Sequence, residues 1–291
     1  MKAAEYEELR EALLHKDTKV LDAVRSKYTW VQYDTLMAIR SQERSRHVRL
    51  QHPKFRARQR IQEYIARYMS GEDILDISKV FDTPPCLLVR FLLEHMVGLQ
   101  KHQITSCLRD PTSLPDSPTI FKVPVGCKDA SNVFNPVSKK RLCADVYRCI
   151  DNDPVSSPNV EMIRRVTGLE YEMLLREHLQ SLGIVYQSED DLRAAGFSKT
   201  PDVKLVAPIG VCGRMVNWID SKASFGDEHS HKMQASDQFQ SYVNRYGPGM
   251  VIYWFGFIDE LNDHPDVLLM DRFPDKSEVY CLPVAPVQFK R

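Results

Sequence analysis

The sequence predicts an α/β fold in its C-terminal half, a small mixed sheet flanked by helices, behind an all-α N-terminal half. Three observations carry this. Up to residue 106 the apolar residues recur at three- and four-residue spacing, the period of a helix with one buried face. Beyond Gly183 short alternating runs replace that period. The stretch GMVIYWFGFI, residues 249–258, is apolar at nearly every position, as a strand covered on both faces requires.

The helical half begins with Leu9, Leu13 and Leu14, then Val20, Leu21 and Val24. Tyr33, Leu36, Met37 and Ile39 continue the pattern, and Ile61, Tyr64, Ile65 and Tyr68 mark a further amphipathic helix. In residues 71–98, Ile74, Leu75, Ile77 and Val80 suit a short helix and residues 87–96 a second. Asp82-Thr83-Pro84-Pro85 forms the turn between them, with Thr83 as N-cap and proline in the first helical turn. Helix, turn, helix is the outline of a DNA reader and equally of any helical hairpin. Residues 107–156, rich in proline, read as a linker or bridging segment, with a short helix over 144–150.

A C-terminal domain over 157–291 then opens with Ser157-Pro158, an N-cap and first-turn proline for a helix over 159–166. A second helix over 170–182 ends at Gly183. Strands follow at 184–186, 203–207 and 214–222, the last two joined by a glycine-bearing hairpin through Gly210 and Gly213. A polar loop leads to a helix over 232–246, then the buried strand, then a strand at 267–270.

Composition sets the class. Of 291 residues 43% are hydrophobic and 27% charged, which suffices for real cores. No apolar stretch approaches the ~18 residues of a membrane span, and the N-terminus has no signal-like apolar core. A protein of nucleus or cytoplasm, without membrane contact, is expected. Seven cysteines at irregular spacing without a CxxC favour reduced, mostly buried thiols over a zinc site. Net charge is zero, yet eight basic residues and one acid, Glu43, fall between residues 40 and 60. Within that run Arg49, Lys54, Arg56, Arg58 and Arg60 are candidates for nucleic-acid binding; a solvated helical face is the plain alternative.

The chemistry gathers at one hairpin. Strand alternation puts Asp220 and Lys222 on one face, with the Ser221 side chain pointing away. Asp202 follows Pro201 at the start of the neighbouring strand. Two carboxylates suit Mg²⁺ or Mn²⁺, and a lysine beside them can orient water or meet negative charge on a phosphate. Asp227, Glu228, His229 and His231 follow Lys222 and read as loop polar residues that could line a nucleic-acid strand.

Thr200-Pro201-Asp202, followed by Asp220-Ser221-Lys222, resembles the signature of the PD-(D/E)XK nuclease superfamily. Glu172 resembles the acidic first-helix position of its Holliday-junction-resolvase-like and RecB-like members. Gln238 and Tyr242 resemble the QxxxY motif that follows the lysine in the RecB-like ones. The resemblance implies a restriction-endonuclease-like domain and a divalent-metal-dependent hydrolysis of phosphodiester bonds. It implies Asp202, Asp220, Lys222 and Glu172 as catalytic residues, Gln238 and Tyr242 in support, and Asp202, Asp220, Ser221 (through its carbonyl) and Glu172 as metal ligands. Over its full length, the helical half included, the chain also resembles a family of vertebrate nucleases that act with codanin-1. That likeness implies codanin-1 as partner and residence in nucleus and cytoplasm. Two other functions compete: an inactive nuclease-fold scaffold for codanin-1, and a helix-turn-helix DNA-binding regulator.

Overall fold

The computed structural model describes residues 1–14, 18–115 and 137–281. The chain divides into two compact units, Met1–Arg40 with Val166–Arg291, and Ser41–Arg165. This departs from a division at residues 106 and 157 in two ways: the first forty residues join the sheet-bearing unit, and the expected linker contributes a core helix to the other.

In the helical unit, α4 (Arg58–Met69), α5 (Ile74–Phe81), α6 (Pro85–Leu92), α7 (Lys101–Arg109) and α8 (Lys139–Asn152) enclose one core, with the end of α3 (Tyr33–Phe55) against it. Leu142, Val146, Cys149 and Ile150 of α8 belong to that core, so these residues are not a linker. The expected prolines at 118, 124 and 136, and Cys127, lie outside the described residues. A buried polar network ties the helices. Tyr68 donates to Asp145 at 2.8 Å, and the Cys86 amide donates to Asp153 at 2.9 Å.

The turn between α5 and α6 is as short as expected, with Asp82 left-handed at φ 53°. Its cap differs: Pro84 is the N-cap of α6, while Thr83 is buried with its hydroxyl 2.9 Å from that of Tyr64. The helix-turn-helix outline of residues 71–98 gains no support as a DNA reader from the packing of α6. Cys86, Leu87, Leu88, Val89, Phe91 and Leu92 are all buried. A recognition helix must offer one face to base edges, and in this helix only Pro85 and Arg90 are half-exposed. The basic run is also less open than its composition implies. Arg40 is buried, Arg46 pairs with Glu43, Arg56 lies 2.9 Å from Glu94, and Arg60 donates to the Phe81 carbonyl. Arg49, Lys54 and Arg58 are exposed.

The other unit is built on a mixed sheet of six strands. These are β1 (Tyr186–Ser188), β2 (Val203–Val211), β3 (Arg214–Lys222), β4 (Gly249–Tyr253), β5 (Val267–Met270) and β6 (Val279–Cys281). β1, β2 and β3 are antiparallel neighbours, and β6 adds to the far end of β2. β4 and β5 continue the sheet in parallel. The β2–β3 turn is Cys212-Gly213, both at positive φ (50° and 75°), the backbone that a tight two-residue hairpin needs. Parallel pairing of β3 with β4 needs a crossover. It is supplied by α11 (Glu228–Gln234), a π-helical turn (Ala235–Phe239) and α12 (Gln240–Tyr246). All five residues of β4 are buried, which accounts for its unbroken apolar sequence. Gly249 opens it because a Cβ there would stand 2.1 Å from the Trp218 ring.

One sheet face packs Val203, Ile219, Met250 and Ile252 against Leu175 and Leu179 of α9 (Pro158–Ser181). Two helices were expected over this stretch. Gly168 is passed without a break because its backbone stays out of the left-handed region and nothing crowds it. The opposite face packs Trp218, Val251 and Tyr253 against Phe239 and Tyr242 of the crossover. A further core joins α1 (Ala3–Leu13), α2 (Thr18–Lys27) and the start of α3 to Phe225 and Ile258, with the Tyr6 and Phe225 rings stacked at 5.4 Å. Among the described residues no helix is long and apolar enough to cross a membrane.

Candidate active site

The register of the β2–β3 hairpin builds the site. Val203 faces Ile219 and Lys204 faces Trp218, so one step back along β2 sets Asp202 directly across from Asp220. Residues opposite one another in an antiparallel pair share a face, with Cβ atoms about 4.5–5.5 Å apart, and like charges so placed repel. Two carboxylates in that position are costly to the fold. Lys222, two residues beyond Asp220, reaches the same face and answers part of the charge. Its Nζ lies 2.5 Å from Asp220 Oδ2.

Each side chain is held by its own partner. Asp202 Oδ2 accepts the Ser221 amide at 2.6 Å, and Lys222 Nζ donates to Gln238 Oε1 at 3.2 Å. Ser221 points to the opposite face, where its hydroxyl accepts the Trp254 indole N–H at 2.8 Å. Tyr242 donates to the Thr200 carbonyl at 2.8 Å, two residues before Asp202. Gln238 sits inside the π-helical turn. The expected single helix over 232–246 is thus interrupted at the residue that touches Lys222, a frequent location for π-turns.

Asp220 is 2% exposed, and its Oδ2, although close to Lys222, has no hydrogen bond of proper geometry. Burial, and then the charge of Asp220, push the Asp202 carboxyl well above the usual carboxylate range; Lys222 and the Ser221 amide pull the other way without prevailing. Burial lowers the affinity of Lys222 for its proton, but Asp220, Asp202 and Glu172 outweigh it and hold the ammonium charged. Glu172, on α9, is raised mainly by burial. It lies within electrostatic reach of Asp220 and Lys222, with Arg176 3.4 Å from its carboxylate. Burial, reinforced by Asp220, also raises the Tyr242 and Tyr253 phenols, which stay neutral.

The structure therefore brings Asp202, Asp220, Lys222, Gln238 and Tyr242 into one cluster, with Glu172 at its edge. Glu189 is an acid the sequence reading passed over. It opens α10 (Glu189–Ala194), its amide donates to the Asp202 carbonyl at 3.2 Å, and its carboxylate accepts the Thr200 hydroxyl at 3.3 Å. The Ser188–Asp191 capping box just before the Thr-Pro-Asp turn was the available signal. Asp227 is the buried N-cap of α11, accepting the His229 and Ser230 amides, so it is committed to structure.

Among the described residues no three histidine, cysteine or acidic side chains stand close enough together to enclose a metal ion. The donor set is a carboxylate pair with one buried oxygen lacking a hydrogen bond. Mg²⁺ binds through one or two carboxylates and keeps several waters, so the pair fits a hydrated hard cation. Such an ion would also relieve the repulsion that burial imposes on Asp202.

Fold and hairpin together define a class. Residues 138–273 match the family described as "Protein of unknown function TPD sequence-motif", whose namesake tripeptide corresponds in this chain to Thr200-Pro201-Asp202. The whole chain has closer kin. It is 36% identical to human CDAN1-interacting nuclease 1 over 97% of its own length and 98% of the relative's. Identity to the protein of that name from Xenopus tropicalis is 36%, over 94% and 88%, and from Danio rerio 32%, over 92% and 87%. The chain belongs to the CDAN1-interacting nuclease 1 family. No solved structure matches it.

Proposed function

We propose that the protein is a divalent-metal-dependent nuclease of PD-(D/E)XK type, with a restriction-endonuclease-like domain, that hydrolyses phosphodiester bonds in complex with codanin-1 in nucleus and cytoplasm. The observation that carries this is the cross-strand Asp202–Asp220 pair with Lys222 beside it, in a chain whose relatives are named nucleases. Asp202 and Asp220 would hold Mg²⁺ or Mn²⁺, with the Ser221 carbonyl as a further oxygen ligand and Glu172 reaching the ion through water. The ion supplies Lewis-acid charge to the phosphate and acidifies water.

The chain's own groups do the rest. The Ser221 amide fixes the Asp202 carboxylate, so its free oxygen is set before substrate arrives. Gln238 fixes the Lys222 ammonium, which orients the attacking water and meets the charge that grows on the phosphate oxygens. Tyr242 anchors the backbone that leads into Asp202. Lys222→Ala should lower turnover by ~10²–10⁴-fold while Mg²⁺ binding, followed by calorimetry, persists. Equal turnover in wild type and variant would remove Lys222 from the mechanism. The codanin-1 partner is proposed from the relatives' name, and Asp220→Asn should leave its capture in a pull-down unchanged. Wild type that cuts no nucleic acid yet captures codanin-1 would put the scaffold reading first.

A further inference from the structure

Beside the carboxylate pair stands a group of rings and cations that the cleavage chemistry does not use. Phe197 is 43% exposed in the loop that leads into Asp202. Its ring meets Tyr246 edge-on at 6.3 Å, and the Arg245 guanidinium lies 5.7 Å from both ring centres. Lys204 Nζ lies 6.0 Å from the Tyr246 ring and 3.0 Å from Gln187 Oε1. Lys204 pairs with Trp218 in the hairpin, which puts it on the same face as Asp202 and Asp220, about 7 Å along β2 from Asp202.

The loop is held rigidly for a segment with an exposed aromatic tip. Arg245 donates to the Ser198 carbonyl at 2.7 Å and the Lys199 carbonyl at 3.2 Å, and Tyr242 takes the next one, Thr200. Three successive carbonyls are thereby clamped by one helix, across a Lys199 that adopts the left-handed region at φ 53°. Non-glycine residues in that region persist only where their surroundings over-determine them, and they concentrate at functional sites. The Asp237 carboxylate nearby is taken up by Lys199 at 2.8 Å, which leaves the face with a cationic balance.

We infer that Phe197, Tyr246, Arg245 and Lys204 form a stacking platform for an unpaired base of the nucleic-acid strand, next to the phosphate that an ion at Asp202 and Asp220 would position. Aromatic faces beside basic side chains are how single strands are gripped without sequence preference. A protruding phenylalanine cannot stack on a base that remains paired within a duplex, so the platform selects single-stranded or locally opened substrate. The inference rests on the nuclease reading for its purpose, but it is tested by binding alone.

The test uses the full chain in EDTA, so that nothing is cut. A 20-nucleotide oligo-dT, the matching oligo-U and a 20-base-pair duplex, each fluorescein-labelled, are titrated by anisotropy. Wild type should prefer either single strand to the duplex, and the tighter of the two identifies the natural strand. A stacked base is worth about 1–3 kcal/mol, so Phe197→Leu should weaken single-strand binding at least about fivefold. Phe197→Trp should preserve it. Lys204→Gln should reduce the log–log salt slope by about 0.7. A single 2-aminopurine in the strand should lose fluorescence on binding wild type and keep it with Phe197→Leu, a change that a merely structural role for Phe197 would not produce. The platform is overturned if wild type binds no single strand, or if Phe197→Leu binds and quenches as wild type does. The two readings fail separately. Absent cleavage with Mg²⁺ but weakened binding by Phe197→Leu removes the nuclease reading and keeps the platform; unimpaired cleavage and binding by Phe197→Leu does the reverse.

Discussion

Replacing Asp202 with Asn removes one charge from the carboxylate pair and keeps its shape, including an oxygen to accept the Ser221 amide. At about 5 Å and an effective dielectric near 20, two unit charges interact by roughly 3 kcal/mol. Lys222 offsets about half of that for Asp202, since it is shared with Asp220, leaving a net repulsion of about 1–2 kcal/mol. Asp202→Asn should therefore stabilise the metal-free protein and raise its Tm by about 3–6 °C, for a sheet-bearing unit of this size. The pH dependence has a definite sign. The folded-state pKa of Asp202 lies above its unfolded value, so the folded state binds the proton more tightly. Metal-free wild type then loses stability as pH rises from the ordinary carboxylate pKa through the elevated one. Scanning calorimetry in EDTA at pH 4 and pH 8 should show the Asn advantage at pH 8 and its disappearance at pH 4. Adding Mg²⁺ should raise the Tm of wild type and not of the variant, because a ligand that binds only the folded state stabilises it. If Asp202→Asn were less stable than wild type at both pH values, the carboxylates would not be a strained pair and the reasoning would fail.

Two further outcomes follow from the same geometry. Tyr242→Phe leaves the buried Thr200 carbonyl without its donor and should cost about 1–3 kcal/mol in denaturant unfolding; a loss below ~0.5 kcal/mol would show the anchor to be dispensable. Arg49, Lys54 and Arg58 are exposed members of the basic run, so changing all three to Ala should lower the salt slope of duplex binding by up to about 2.7 if each contacts a phosphate. An unchanged slope would assign that face to another partner or to none.

Much of the site was legible because it obeys period two. Asp220 and Lys222 share a face by alternation alone, but a register shift between Lys204 and Ile209, which the two-residue turn at Cys212-Gly213 does not announce, is what sets Asp202 across from Asp220. What the sequence did not carry is tertiary. Glu189 enters only because its amide bonds Asp202 across a strand pairing of three residues, too short to leave a periodic signal. The π-turn that sets Gln238 against Lys222 has no pattern distinct from a helix. Two helices were expected over 159–166 and 170–182, but α9 runs unbroken through Gly168, with the apolar contacts of Leu175 and Leu179 carrying it, although glycine is a poor helix former. The turn before α6 matched a DNA-reading motif in outline, and only the burial of Leu88, Val89 and Leu92 shows that the helix serves a core. The first forty residues have the same helical period as the next sixty. Nothing in that period says that Tyr6 stacks on Phe225 in the other half of the chain.

The central claim, that the Asp202–Asp220–Lys222 cluster hydrolyses phosphodiester bonds with a divalent ion, is tested most directly by cleavage of a mixed set of single-stranded, flapped and duplex oligonucleotides. Purified wild type and Asp220→Asn are compared with Mg²⁺, with Mn²⁺ and with EDTA. Wild type should cut at least one of these substrates with either ion and stop in EDTA. Asp220→Asn, with its fold verified by circular dichroism, should be at least about a hundredfold slower. Cleavage that continues undiminished in Asp220→Asn, or in EDTA, would place the activity elsewhere and contradict the account.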